Sequence, residues 1–414
     1  MKHPRAVRLP LLVLAGWMSG AGVLGQDAPA DDPGYRAHEW GTFTSMVDAD
    51  GAVLEGLHRE EEALPEFVHD LMSIEAAGDA GVKFPASRVT QKMETPVIYF
   101  HTDRARRVSV HVAFEQGLMT QFHPLPALVF PPLDLLRAHL LRAPLDLTTV
   151  ARSGLVWDVD LLPPDAPQPA EVAPAAADEP WGLARQVRAA WVRTRPAPGA
   201  AVEAERYLFY RGLGRWQPAL TLQARDDGVT LENGMEGAVP FLAVLELDER
   251  GGRFALGGAL AAGAAREVAL AEAPFAADRS RLAHELGAAV QQALEASGLH
   301  ADEARAMVAT WSRSWFQRDG ARVIYLLPRA EVDRVLPLQL WPPPRELVRT
   351  LVGRLEFVTP RAQAAVEAAL QRSDEPVLAR LDRLLEPHLR NVLARATDGR
   401  VRELARRRLA ALGR

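Results

Sequence analysis

Seven of the 11 histidines lie between His38 and His139, with carboxylates scattered among them. Imidazole nitrogens hold zinc or copper when three or more ligands meet at about 2 Å from the ion. His101, His111 and His123 sit at strand-compatible spacing and are the candidate metal ligands. His38, Glu39 and Glu94 are the candidate catalytic groups, because two carboxyl groups divide acid and base roles when burial raises one pKa. Glu60-Glu61-Glu62 is a weaker acidic candidate, since adjacent side chains on a helix point in different directions. Arg211-Gly212-Leu213-Gly214-Arg215 is a candidate ligand-binding segment. Its glycines permit a concave turn, and Arg211 and Arg215 could clasp a carboxylate or phosphate. Each candidate also has an ordinary reading: sheet histidines hydrogen-bond, charges are solvated, and glycine-rich turns join strands.

Short signatures are missing. His284-Glu285 lacks the second histidine of a zincin helix, and no G-x-S-x-G elbow or Walker phosphate loop occurs. Gly212-Leu213-Gly214 lacks the third glycine of a dinucleotide loop. The chain has no cysteine, which excludes a cysteine nucleophile, thiolate zinc sites and iron–sulfur clusters. No cofactor is predicted; a divalent metal is the one that the histidines leave open.

The elements that must position these residues follow from pattern. Lys2, Arg5 and Arg8 precede an apolar run from Leu9 to Leu24, the order of a secretory signal peptide. Residues 1–25 are therefore expected to be cleaved, leaving an exported protein, periplasmic or extracellular, with no transmembrane helix. Their loss moves the formal net charge from −5 to −8, which argues against nucleic acid as a partner. Residues 26–37 read as a flexible lead-in and 38–162 as a β-rich region. Within it Pro96–Phe100 is a compact strand, and Val108 to Phe114 alternates as a second one. If Phe100 pairs opposite Val108, then Tyr99, His101, Ser109 and His111 share one face. Gly154–Leu162 is a further strand, and Leu133–Leu141 a short helix.

A Pro/Ala-rich insertion or linker spans 163–203, with Trp181–Trp191 between its two breaks. A second β-rich region covers 204–275, where Gly212 and Gly214 separate two strands. A helix–strand element covers 276–360. Leu282, Leu286, Val290 and Leu294 form one helix stripe, and Ala304, Met307, Trp311 and Trp315 another. Arg322–Leu327 is a buried strand, and Pro342-Pro343-Pro344 opens a helix near Arg345. Residues 361–414 form an Arg-rich helical end broken at Pro376, Pro387 and Gly399.

The phrases HEWGTFTS (His38 to Ser45), KMETPVIYF (Lys92 to Phe100) and YLFYRGLG (Tyr207 to Gly214), with the Leu299–Trp315 helix and RVIYLLPRA, resemble one family. It is a set of exported bacterial proteins of the planctomycete and myxobacterial type, with no established activity. The resemblance covers most of residues 38–360 and implies export and a β-rich body with a late α/β element. The expected fold is α+β: two β-sheet regions, sandwich-like, then the α/β element and the helical C-terminus. The preferred function is a non-catalytic envelope protein that binds a polymer or protein partner. Its Arg-rich helices also suit peripheral contact with an anionic membrane. The alternative is an extracytoplasmic hydrolase or metal-dependent enzyme. That alternative requires at least three of His38, Glu39, Glu94, His101 and His111 to converge in one pocket.

Overall fold

The computed structural model describes residues 34–60, 64–71, 73–74, 82–83, 86–140, 144–196 and 199–412. The expected signal segment, residues 26–33 of the lead-in, and Glu61 and Glu62 lie outside the described residues. In chain order the strands that concern the sites are β1 (Arg36–Val47), β2 (His69–Asp70), β3 (Gln91–His101), β4 (Arg106–Glu115), β5 (Gly117–His123), β6 (Leu128–Phe130), β7 (Arg152–Leu162), β8 (Trp191–Thr194), β9 (Ala204–Glu205), β10 (Leu208–Gly214), β11 (Leu242–Asp248), β12 (Gly251–Leu256), β13 (Gly320–Leu326), β14 (Leu338–Trp341) and β15 (Glu346–Phe357). The helices are α1 (Leu133–Leu140), α2 (Pro180–Arg185), α3 (Arg279–Ala296), α4 (Ala301–Phe316), α5 (Arg329–Val335), α6 (Pro360–Arg372), α7 (Glu375–Arg380), α8 (Leu385–Arg395) and α9 (Gly399–Leu412).

A nine-stranded sheet runs β12-β11-β13-β15-β1-β3-β10-β5-β2. A second sheet runs β9-β8-β7-β4-β14, with β6 also paired to β7. The inner face of the main sheet carries Ile98, Phe100, Leu208, Val323 and Leu355, which share one core with Val108, Val110, Val112 and Phe114 of β4. The outer face carries Trp40, Val97, Tyr99, Phe209 and Ile324, which share a second core with α2, α3 and α4. The fold is thus α+β with a β-rich body and a helical C-terminal region, as the patterns predict. Among the described residues no helix is long and apolar enough to cross a membrane.

Three expectations need correction. Pro96–Phe100 and Val108–Phe114 are both strands, but they do not pair. β3 lies between β1 and β10, and β4 lies between β7 and β14. Their apolar faces meet across the sandwich, so Tyr99 and His101 turn away from Ser109 and His111. Alternation identifies a buried face without saying whether it meets a neighbour beside it or a sheet opposite it.

The second correction concerns residues after Pro344. No helix opens there: β15 runs parallel to β1 through 12 consecutive register pairs, from Arg36↔Glu346 to Val47↔Phe357. From Arg349 onward this strand is buried on both faces. Apolar and polar residues therefore follow no single period along it. Third, Gly212 and Gly214 form no turn. They lie inside β10, and Phe114 of the second sheet packs against them. A Cβ on Gly214 would fall 2.7 Å from Phe114 Cζ, and one on Gly212 would fall 2.6 Å from the Leu118 carbonyl oxygen.

The outer face of the main sheet is divided along the strands. One half is the aromatic and aliphatic surface under α2–α4. The other half carries Thr44, Lys92, Glu94, Arg322, Arg354 and Glu356, all at most 2% exposed. The C-terminal helices α6 to α9 have a small core of their own, centred on Leu370, Leu389, Val392 and Val401. Arg383, before α8, reaches the charged half of the sheet and pairs with Glu94 at 2.5 Å.

Candidate functional site

Glu94 and Arg211, named above for different reasons, line the same cavity of about 450 Å3. It lies between the outer face of the main sheet, α2, α4 and the 64–65 and 174–175 loops. Trp40, Val97 and Phe209 come from the strands, Tyr207 from the bend just before β10, Trp181 from α2, and Trp311 from α4. Alternation puts Trp40 on the same face of β1 as His38, and Phe209 and Arg211 together on β10. A β-bulge between Trp40 and Thr42 brings Gly41 against Pro96, where a Cβ would fall 2.7 Å from Pro96 Cα.

The far wall is clipped on by hydrogen bonds. Tyr99 Oη donates to the Ala184 carbonyl at 2.8 Å, and Tyr207 Oη donates to the Trp181 carbonyl at 3.2 Å. Trp181 Nε1 donates to Glu205 Oε2 at 2.9 Å, and Arg185 holds the same carboxylate through Nε at 3.0 Å. Burial pushes both tyrosine pKa values well up, so both remain donors. The indole nitrogens of Trp40 and Trp311, Thr310 Oγ1 and Arg211 Nε are buried without hydrogen-bond partners.

The polar end of the cavity is a network. Glu94 takes Arg383 Nη1 at 2.5 Å and Thr44 Oγ1 at 2.7 Å. Arg211 Nη1 and Lys92 Nζ both reach Glu60 Oε2, at 2.9 and 2.8 Å. Burial lowers the Lys92 pKa, against the opposing pull of Glu60 and Glu94. Glu94 is thus the acceptor of an ion pair. Arg211 presents its side chain to the cavity from within a strand, while Arg215 lies beyond the strand end, 3.4 Å from Gln116 Oε1.

The remaining candidates separate. Glu39 lies on the inner side, bonded to Arg349 Nε at 2.6 Å and to the Tyr210 hydroxyl. His111 Nε2 meets Ser109 Oγ at 3.0 Å on the outer side of the second sheet. His123 is 2% exposed and stacks near His69, with ring centroids 6.3 Å apart. Glu203 completes that group, at 2.9 Å from His69 Nε2 and 3.5 Å from His123 Nδ1. Burial lowers the His123 pKa to about 4, although Glu203 opposes the shift.

His38 and His101 do converge, on a residue the spacing did not suggest. His38 Nδ1 lies 2.8 Å from Glu303 Oε2, and His101 Nε2 lies 2.9 Å from Glu303 Oε1. The ring of His300 stands 4.5 Å from each of theirs. His38 and His101 share the outer face of adjacent strands, and α4 brings its first turn over them. Glu303 also accepts the His300 backbone N–H at 2.8 Å, which fixes the start of α4. Burial alone would raise the Glu303 pKa, but the hydrogen bonds and charge of His101 and His38 hold it at about 2. The readable signal for this meeting was a His-x-x-Glu step at the predicted start of α4, 202 and 265 residues in sequence from His101 and His38.

Two groups among the described residues therefore bring together three or more residues of metal-ligating type: His38, His101, His300 and Glu303, and His69, His123 and Glu203. No family model matches the chain, and no curated protein matches it.

Proposed function

We propose that this is an exported, non-catalytic binding protein that takes a small, largely apolar molecule with an oxygen-bearing polar end into the Trp40–Trp181–Trp311 cavity. The cavity carries the reading: its volume is in the range of small-molecule sites, and its walls are aromatic with a few polar groups at one end. Buried donors of its lining residues lack partners, and a ligand acceptor would satisfy them. The catalytic alternative requires at least three of its five groups in one pocket; only Glu94 lines this one, and it is already paired. The signal-like N-terminus supports export. The Arg-rich end offers less to a membrane than its composition suggests. Arg390, Arg395, Arg406, Arg407 and Arg408 all pair with carboxylates of the same chain.

Anilinonaphthalene sulfonate, an aromatic anion, is a suitable probe. Folded protein should bind it saturably at one site. Ala175→Trp, which fills the cavity from a loop, should weaken binding by about tenfold or more, or ~1.4 kcal/mol, without lowering Tm. Trp181→Ala should weaken it similarly. Non-saturable binding, or binding that both substitutions leave unchanged, refutes the proposal.

A further inference from the structure

We infer that His38, His101, His300 and Glu303 form a binding site for one divalent transition-metal ion such as zinc. The argument is independent of the cavity. One ligand atom from each of the four residues lies within 4.8 Å of the others. Tetrahedral ligands at zinc bond lengths stand about 3.4 Å apart, so a contraction of at most about 1.4 Å between ligand atoms closes the shell. Three imidazole nitrogens and one carboxylate oxygen are a borderline donor set, which suits zinc, cobalt, iron or copper better than magnesium or calcium.

Electrostatics favour a cation there. The N-terminus of α4 alone would repel one. Glu303 is buried, and Asp302 adds a second carboxylate at the same helix start. The imidazoles bring no fixed positive charge when neutral. His38 is 1% exposed, and its Nε2 is buried without a hydrogen-bond partner. A plain His–Glu hydrogen-bond pair would need one imidazole, whereas here three surround a single carboxylate.

The site is also placed to do something in the fold. β1, β3 and the start of α4 each contribute, so a bound ion ties the helical layer to the centre of the sheet. His101 keeps 14% of its side chain exposed, and His300 is half-buried, which leaves an entry path. In a chain with no cysteine, a metal is the remaining strong cross-link between distant segments.

The test uses the full chain, stripped with chelator and titrated with Co(II) near neutral pH. The expected result is visible d–d absorption of a four- or five-coordinate ion, saturating at one tight equivalent and bleached by zinc. His101→Ala and His300→Ala remove partly exposed groups and should leave the protein folded. Each should weaken Co(II) binding by about a hundredfold or more. Glu303→Gln should do the same if it folds. His123→Ala should leave this equivalent intact. Absence of the absorption in folded wild-type protein overturns the inference. So does a tight equivalent that survives His101→Ala and His300→Ala, or one that disappears only in His123→Ala, which would move the site to His69, His123 and Glu203.

Discussion

Glu356 sits between two arginines on the outer face of the main sheet, 2.9 Å from Arg322 Nε and 2.5 Å from Arg354 Nε. All three side chains are at most 2% exposed. Burial would raise the Glu356 pKa, but Arg322 and Arg354 lower it, so the carboxylate stays ionised. Arg322 also donates to the carbonyls of Trp315, Arg318 and Asp319, which caps the C-terminal end of α4 with positive charge. Removing the central anion leaves two buried cations without it. Glu356→Ala is therefore expected to destabilise the protein by about 3–5 kcal/mol, read from the urea midpoint at constant m. Glu356→Gln keeps the shape and an acceptor oxygen, and should cost less. Equal stability of Glu356→Ala and wild type would show that the pair contributes nothing.

At the scale of elements, the contact between β10 and β4 shows how the two sheets approach. Phe114 occupies the space that side chains at 212 and 214 would need. This is why a glycine-rich phrase that reads as a turn continues as a strand: the glycines serve a neighbour from the other layer. Gly214→Ala is expected to cost roughly 1–3 kcal/mol through overpacking. Combining it with Phe114→Leu should recover part of that loss, because the shorter side chain gives the methyl room. Additive losses in the double-mutant cycle would show that the two positions do not touch. β15 makes the related point. Its placement beside β1 depends on pairing over 300 residues of separation, which no local pattern carries.

For the whole molecule, the helical end is fastened through buried polar groups, and that gives stability a pH dependence. His388 of α8 is 9% exposed, and burial lowers its pKa to about 4 against the opposing charge of Glu356. An unfolded chain protonates this histidine near pH 6.5, but the native protein does not until about pH 4. The native state therefore binds fewer protons in that window. Stability is full above about 6.5 and falls as pH drops toward 4, by up to ~3 kcal/mol from this group. His123 has the same sign and window. Glu303 adds a loss lower down, between about 4.5 and 2. His388→Gln should flatten the upper part of the curve, measured as ΔG of unfolding from pH 7 to 4. An unchanged slope would mean that His388 is protonated in the native state.

Local pattern alone settled several things. The stripes Leu282–Leu294 and Ala304–Trp315 are helices with those residues inward, the compact run Pro96–Phe100 is a buried strand, and the apolar face of the alternating Val108–Phe114 is buried. These are short-range consequences of side-chain periodicity and apolar burial, so they are visible within a dozen residues. Which strands lie side by side, and which candidates meet, was decided only in three dimensions. His101 and His111 parted because their strands joined different sheets. Glu94 and Arg211 met because β3 and β10 pair, and His38 and His101 met Glu303 because α4 packs across β1 and β3. Such meetings depend on register and layer order, which arise from the whole set of competing pairings and not from the composition of any one segment.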